Sequence, residues 1–521
     1  MIFFVFLLMS SLCVAYLLHS NAIIGCLQVL TLNGTYWQSL FMGDVVSISI
    51  LLMLSICFGY ALYYTTHYFG GSSSGNQLNK IICLFVAVMG SLVLTGDLLT
   101  TLILWEYLGV VSFFLILFYA NYLSLRSSVV TLVSSRFGDV CLFLLIAVSL
   151  CTGYPVILMA GIYFFVVFTK SASFPFISWL LEAMRAPTPV SSLVHSSTLV
   201  AAGVWFAMRY DMFSLMSDTS IFLMILLLTV FITGVCCFFF LDLKKIVALS
   251  TCNNISWCLI YLIFGDVCLS LFQLLSHGVS KCLLFMLVGD VMSGSGGSQA
   301  SNCVFSPRLY GSWGIFGLFC VTLGLSGAPY IGVFFTKHIL VSNFSSMLSI
   351  TMYFLLLICV FLSYFYSFRL CRILYSNFSS LSFGVLYAFS SGLMVYFWLM
   401  LNYFIASSLD ETSGVSSVSS SVLLCFQGVS CITAYYFYSS TVLRAWASSL
   451  FGCDNVVEYF YNLFNDMEQS VSLFFYRWDN NTLSLFNNLG GSLVTVLNNG
   501  LLNIIMISSL LIFVSCFIIV Y

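Results

Sequence analysis

Long apolar runs recur along this chain of 521 residues. They lie at about 1–20, 41–66, 81–97, 99–120, 127–151, 155–170, 190–209, 219–240, 243–264, 267–290, 311–326, 329–345, 347–375, 383–406, 419–441 and 500–521, and 22–32 adds a shorter segment. Most are far longer than the ten or so residues of a barrel strand, and they lack period-two alternation, so they predict helices. A helical span needs about 20 apolar residues, so the length allows roughly 14 to 17 crossings. The runs themselves predict an all-α polytopic membrane protein with about 15–16 transmembrane helices. The chain is apolar from Met1, with no basic leader, cleavage site or Arg-rich transit character, so residues 1–18 read as a retained first span. The stretch 444–500 breaks the pattern. Arg444, Asp454, Glu458, Asp466, Glu468, Arg477 and Asp479 stand there among aromatics such as Tyr459, Phe460 and Phe464. That mixture predicts an amphipathic helix lying along the membrane surface or against neighbouring helices. A terminal anchor at 501–521 follows.

Composition removes most other classes. Only 15 residues are Lys or Arg and 17 are Asp or Glu, so 6 % of the chain is charged and 61 % is hydrophobic. An ordinary soluble domain is roughly 25 % charged, and 32 charges cannot solvate the surface of a soluble protein this size. Disorder is excluded by the excess of apolar surface. A net charge of −2 leaves no basic face for nucleic acid. The 20 cysteines are scattered singly, apart from Cys236 and Cys237, with no CxxC, and read as small apolar core residues. The Gly/Ser tracts 70–75 and 293–298 lack the strand, lysine and helix of a phosphate loop and read as linkers.

Charges inside spans carry the chemistry, because each costs at least about 2.5–3.5 kcal/mol there. Glu106, Arg136, Asp139, Lys170, Lys281 and Lys337 are embedded in apolar runs, with His195 and His277 in apolar helices. His277 and Lys281 are four apart and share a helix face, and Gln273 extends the same stripe. Arg136 and Asp139 are three apart and can pair locally. Pro175 follows Lys170 closely, and Pro329 precedes Lys337 by eight residues. Proline frees a backbone carbonyl, and such breaks persist in membranes where they line a hydrated cavity. The set suits neither hydrolysis nor metal ligation, which needs convergent Cys, His or carboxylates. Buried lysine can titrate near neutrality. A carboxylate about 4 Å away is worth roughly 4 kcal/mol to it at an effective dielectric near 20. A row of such lysines with histidines between them is a gated pathway for protons or another cation.

The segment 170–205, KSASFPFISWLLEAMRAPTPVSSLVHSSTLVAAGVW, goes further. With WEYLGVVSFFLI around Glu106, DLKKIVALST at 242–251 and LLSHGVSKCLLFM around Lys281, it closely resembles the chain 5 family of NADH–ubiquinone oxidoreductase. These are the distal antiporter-like subunits of respiratory complex I. The resemblance is dense over about 95–345. It implies two broken helices in an antiporter-like inverted repeat, and a lateral helix with a terminal anchor running along neighbouring membrane subunits. It divides the chain into N-terminal spans at 1–94, a proton-channel core at 95–376, C-terminal spans at 377–443, the lateral helix at 444–500 and the anchor at 501–521. It implies that Glu106 pairs with Lys170, that His195 links Lys170 to the centre at His277 and Lys281, and that Lys337 stands near the exit. Arg136 and Asp139 match a motif near the first half-channel, and Asp242 and Lys244 join the candidates. It further implies a multi-pass subunit of the mitochondrial inner membrane, encoded by the mitochondrial genome. Its partners are other complex I membrane-arm subunits, including an adjacent antiporter-like chain, and the lipid bilayer. No cofactor sits on this chain; NADH, FMN, iron–sulfur clusters and ubiquinone are expected on other subunits.

Some positions depart from the family pattern. His338 follows Lys337 where Asp is common. Gln273 stands where some relatives have His and is expected to bridge only through water. Arg185 and Asp290 are unexpected charges and read as interfacial. The alternative reading is a cation/proton antiporter subunit of the same superfamily. A membrane scaffold whose charges are remnants is the third reading.

Overall fold

The computed structural model describes residues 23–32, 35–149, 156–211, 213, 219–301, 303–304, 311–328, 333–344, 350–376, 417–437 and 453–487, with isolated positions at 395–402 and 503–511. The expected spans at 1–20 and 383–406 and the anchor at 501–521 therefore lie outside the described residues, apart from those positions. The chain divides into two units, Met1–Asp454 and Asn455–Tyr521.

The first unit opens with an antiparallel hairpin, β1 (Ile23–Leu32) and β2 (Thr35–Gly43), paired from Ile23 opposite Gly43 to Leu32 opposite Thr35 with a register shift between Gln28 and Leu30. The expected helical membrane fold holds, and this ribbon is an addition to it. Its second strand is fastened to the bundle where Met42 N donates to Leu94 O (2.7 Å) and Gly96 N donates to Leu40 O (2.7 Å).

Helices follow: α1 (Val45–Tyr68), α2 (Ser73–Val93), α3 (Leu98–Ile116), α4 (Tyr122–Ser149), α5 (Val156–Ser171), α6 (Ser178–Ala183) and α7 (Thr188–Leu193). A π-turn, Val194–Thr198, joins α7 to α8 (Leu199–Arg209). Then come α9 (Ser220–Phe239), α10 (Leu243–Ile263), α11 (Val267–Gly294), α12 (Gly311–Ser326), α13 (Phe334–Phe344), α14 (Ile350–Ser376) and α15 (Ser417–Phe437). Among the described residues, ten helices are long and apolar enough to cross a membrane, counting Thr188–Arg209 as one.

The helices form a graded bundle. The Thr188–Arg209 segment, α10 and α11 are buried along nearly their whole length, whereas α2, α4 and α15 turn most of their surface outward. The outward residues are apolar, such as Val133, Phe143, Ile432 and Tyr436, as lipid or a neighbouring subunit requires. Buried polar side chains gather on the central helices. At one end of α1, Asp44 caps the helix: Ser47 N donates to its Oδ1 (3.1 Å), and its own N donates to Ser47 Oγ (2.9 Å). The last residue of α8, Arg209, donates from Nη1 to Asp44 Oδ2 (2.6 Å) and from Nη2 to Val93 O (3.3 Å), so hairpin, α1, α2 and α8 meet there.

The second unit contains α16 (Cys453–Asn487). Phe460, Phe464, Met467, Val471, Phe474 and Trp478 recur at helical spacing, with Glu458, Asp466, Glu468 and Asp479 between them. At 1.5 Å per residue its 35 residues extend about 52 Å.

Candidate functional site

Lys170 stands in the last turn of α5, where the C-terminal end of the helix dipole favours a cation. The helix stops at Ser171 because Ala172 turns into the left-handed region (φ 53°), followed by a cis Phe174–Pro175 bond. Trp179 of α6 donates its indole N–H to Thr169 O (3.0 Å) and so ties the chain back across the interruption. Gly203 of α8 completes the setting: a Cβ there would lie 3.0 Å from Ser171 N and Val167 O, so α5 and α8 touch backbone to backbone.

The Lys170 amine is buried, 3.9 Å from Asp139 Oδ1 and 5.1 Å from the centre of the Trp105 ring. Arg136 bridges Asp139 (3.7 Å) and is in closer contact with Glu106. This corrects the expected Glu106–Lys170 pair. The carboxylate at ion-pair distance from Lys170 is Asp139, and Glu106 is held by Arg136 one helix away. The expected local pairing of Arg136 with Asp139 is present. Asp139 is 3 % exposed, whereas Arg136 and Glu106 are about 40 % exposed (42 % and 39 %), so the line of charges runs from the outer face of the bundle to its interior.

His195 is fully buried in the π-turn. The wider turn passes the Leu199 amide to Val194 O, and side-chain hydroxyls add to the carbonyls around it. Ser197 Oγ donates to Leu193 O (3.0 Å), and Thr198 Oγ1 donates to Leu193 O (2.9 Å) and Val194 O (3.3 Å). His195 and Lys170 both line a slot of about 10 Å³ walled by Thr131, Ser134 and Ser135, the space of about one water.

On α11, His277 and Lys281 are one turn apart and both buried, as their spacing predicts. Lys281 Nζ donates to Val247 O (3.3 Å) and to the Ser250 hydroxyl. Among the described residues, neither ring nitrogen of His195 or of His277 has a protein hydrogen-bond partner. Buried polar atoms of this kind are satisfied by water.

Gln273 does not depend on water to bridge. Its Oε1 accepts from Thr336 Oγ1 (2.7 Å), and its Nε2 donates to Asn254 Oδ1 (3.4 Å), linking α11 to α13 and α10. Thr336 precedes Lys337, whose Nζ donates to Ser326 O (2.5 Å) and Ser363 Oγ (2.6 Å) and lies 4.9 Å from the Tyr364 ring centre. Lys337 thus sits just past the gap between α12 and α13; Pro329 within that gap is outside the described residues. His338 stacks on Phe334 with ring centres 5.4 Å apart.

The lower-ranked candidates separate. Lys244 is buried and donates to Ala186 O (3.1 Å). Asp242 pairs instead with Lys245 (3.6 Å) at the half-exposed start of α10. Arg185 pairs with Glu182 (3.2 Å) at a half-exposed site. Asp290 is not interfacial: it is 2 % exposed and 3.9 Å from His67 Nδ1.

Residues 95–365 match the family model described as NADH:quinone oxidoreductase/Mrp antiporter, TM. The chain belongs to that family. The matched region contains Glu106, Arg136, Asp139, Lys170, His195, His277, Lys281 and Lys337. The chain is similar to NADH-ubiquinone oxidoreductase chain 5 of Caenorhabditis elegans, 33 % identical over 330 residues, covering 61 % of this chain and 62 % of that one. It is likewise similar to the protein of the same name from Ascaris suum, 33 % identical over 380 residues, covering 70 % and 67 %. The first of these matches spans only about three fifths of its relative's length. The fold is similar to a chain of the Mrp complex from a Dietzia species, with TM-score 0.76 at 18 % identity over 96 % of this chain and 59 % of that one.

Within this NADH:quinone oxidoreductase/Mrp antiporter core, several polar residues were not singled out from the sequence. Ser250, Asn254, Thr336 and Ser363 connect the lysines, and Asn254 beside Asn253 in a spanning run was the visible signal. Arg369 is also buried, donating to Cys237 O (2.8 Å) and Phe240 O (2.7 Å) and so tying α14 to the end of α9.

Proposed function

We propose that this chain is the chain 5 subunit of respiratory complex I, moving protons across the mitochondrial inner membrane while NADH oxidation and ubiquinone reduction proceed on other subunits. The observation that carries the reading is the buried polar row. It runs from Asp139 and Lys170, past His195, to His277 and Lys281, and through Gln273 and Thr336 to Lys337. Lys281 and Lys337 donate to carbonyl and hydroxyl oxygens, Lys170 faces Asp139 at ion-pair distance, and each histidine can carry a proton on either nitrogen. At 3.9 Å the attraction between Asp139 and Lys170 is roughly 4 kcal/mol at an effective dielectric near 20. Arg136 competes for the same carboxylate, so swinging Asp139 between the two cations loads or releases the Lys170 proton. The lateral helix α16 and the spans beside it are the proposed contacts with other membrane-arm subunits and lipid.

The test is proton pumping by assembled complex in vesicles, with Lys281→Ala and Lys170→Ala. Each variant is expected to lower protons moved per NADH oxidised on the order of tenfold or to nothing. Full pumping in both overturns the pathway. The family also holds Mrp antiporters, so the same vesicles are assayed with a sodium gradient; sodium-driven proton movement without NADH oxidation favours the antiporter reading.

A further inference from the structure

A second polar site lies at the end of the bundle where α1 and α11 finish and α7 and α10 begin. A cavity of about 650 Å³ opens there, and Tyr64, His67, Thr188, Lys244, Asp290 and Gln299 contribute to its walls. Gly70, Ser293, Gly294 and Gly297, from the Gly/Ser tracts that read from sequence only as linkers, also line it. Short polar side chains leave such a mouth wide and wettable. Within its wall the Tyr64 hydroxyl lies against Gly289, where a Cβ would collide with it.

Asp290 is a buried carboxylate at the wall of this cavity, 3.9 Å from the imidazole of His67. A charge is buried only at considerable cost unless it is paired, so its position demands explanation. The cavity also leads somewhere. Lys244 stands on its wall, and the two α10 groups that hold Lys281, Val247 O and the Ser250 hydroxyl, lie three and six residues further along the same helix. Those steps are about 4.5 and 9 Å along the axis. On α11, Asp290 is nine residues from Lys281, about 13.5 Å.

We propose that this cavity is the aqueous port through which the central lysine exchanges protons with solvent, and that Asp290 with His67 is its proton-collecting pair. The inference rests on the proton-moving reading above and names its entrance. A hydronium in the port gives its proton to the Asp290 carboxylate or the His67 imidazole and leaves as water. The proton then passes through cavity water, alongside Lys244, to a Lys281 amine that has released its own. Asp290 returns to carboxylate, and no electron moves. The titratable groups facing Asp290 are Tyr64, His67 and Tyr68 of α1 and Lys244 of α10, while α7 presents only Thr188.

The experiment measures proton pumping against pH in vesicles holding assembled complex with Asp290→Asn, His67→Gln, Asp290→Glu or Lys281→Ala. Asp290→Asn is expected to slow pumping about tenfold near neutral pH and to recover as the bulk is acidified, because hydronium then replaces the lost collector. His67→Gln shows the same pattern more weakly, and Asp290→Glu restores the rate. Pumping by Asp290→Asn that matches wild type, or that is low at every pH without acid rescue, overturns the port. Impaired Lys281→Ala beside normal Asp290→Asn removes the port alone; normal pumping by both Lys281→Ala and Lys170→Ala removes the proton pathway itself. Should Asp290→Asn fail to assemble, Ser293→Trp fills the mouth while keeping both side chains of the pair, giving up only the Ser293 Oγ hydrogen bond to Asp290 O (2.8 Å). It is expected to slow pumping at all pH values, and undiminished pumping in that variant overturns the port equally.

Discussion

Asp139 is shared between two cations, Lys170 on the inside and Arg136 towards the outside. Asp139→Asn removes the attraction Lys170 feels and is expected to cut pumping about tenfold, at least 1.4 kcal/mol of barrier. Glu106→Gln acts one step removed: it releases Arg136 to take Asp139 more fully, so pumping falls less. Side-by-side pumping rates check the order, and a larger loss in Glu106→Gln reverses the assignment. Asp44 gives a stability test. Burial works to raise its carboxyl, but the Ser47 hydrogen bonds and the Arg209 charge together hold it below the usual carboxylate range. A carboxyl lowered by folding contributes stability above its unfolded value, lost as pH falls through the folded one. Asp44→Asn is therefore expected to destabilise the protein from neutrality down to about pH 4, and the difference from wild type closes below that. A hydrogen bond to a charged group is worth about 1.5–3 kcal/mol, with the low end apt for a partly exposed carboxylate. Thermal unfolding in detergent across pH measures it. His277 and Lys281 were legible because four-residue spacing fixes a shared face. The partner of Lys170 was not, because it depends on the rotational setting of α3, α4 and α5, which no local pattern encodes. Asp290 was misjudged for a related reason: the end of an apolar run is the end of a helix, but helix ends can wall a cavity.

At the scale of elements, the contact between α5 and α8 positions the first lysine. Gly203→Ala inserts a methyl against the backbone of Val167 and Ser171 and is expected to cost about 1–3 kcal/mol as overpacking. Because those atoms flank Lys170, pumping falls with stability; unchanged melting and pumping together would show that the helices part freely. The π-turn at His195 carries a similar lesson. Its triplet Ser196-Ser197-Thr198 was visible, but that these hydroxyls would donate to carbonyls of a wider turn depends on α7 and α8 both being clamped by neighbours. The hairpin at 23–43 was missed because its apolar residues cluster rather than alternate, and two-stranded ribbons leave a weak imprint in sequence.

For the whole molecule, the run pattern gave the helices of the bundle with boundaries close to those observed, because membrane length and backbone satisfaction leave helices few alternatives. Which helices occupy the centre was less direct, though polar content marked it: the Thr188–Arg209 segment, α10 and α11 are richest in buried Ser, Thr, Asn and His. The second unit belongs to assembly in the reading given above. Truncation before residue 453 is expected to leave the helices of the first unit folded, by circular dichroism and melting, while lowering incorporation into complex several-fold on native gels. Normal incorporation would remove α16 from the interface.

One helix joins both ends of this description. α1 is 24 residues long, about 36 Å of rod. Its start is latched to α8 and the hairpin through Asp44 and Arg209, and its finish bears His67 against Asp290 of α11. As a mechanical part it is a strut pinned at both tips. Sliding it along its axis strains one latch or the other. Tilting it changes the gap at the His67 end by an amount the Arg209 end must accommodate. The rod therefore gives the two ends of the bundle one rigid member in common, with no chain of side chains needed between them.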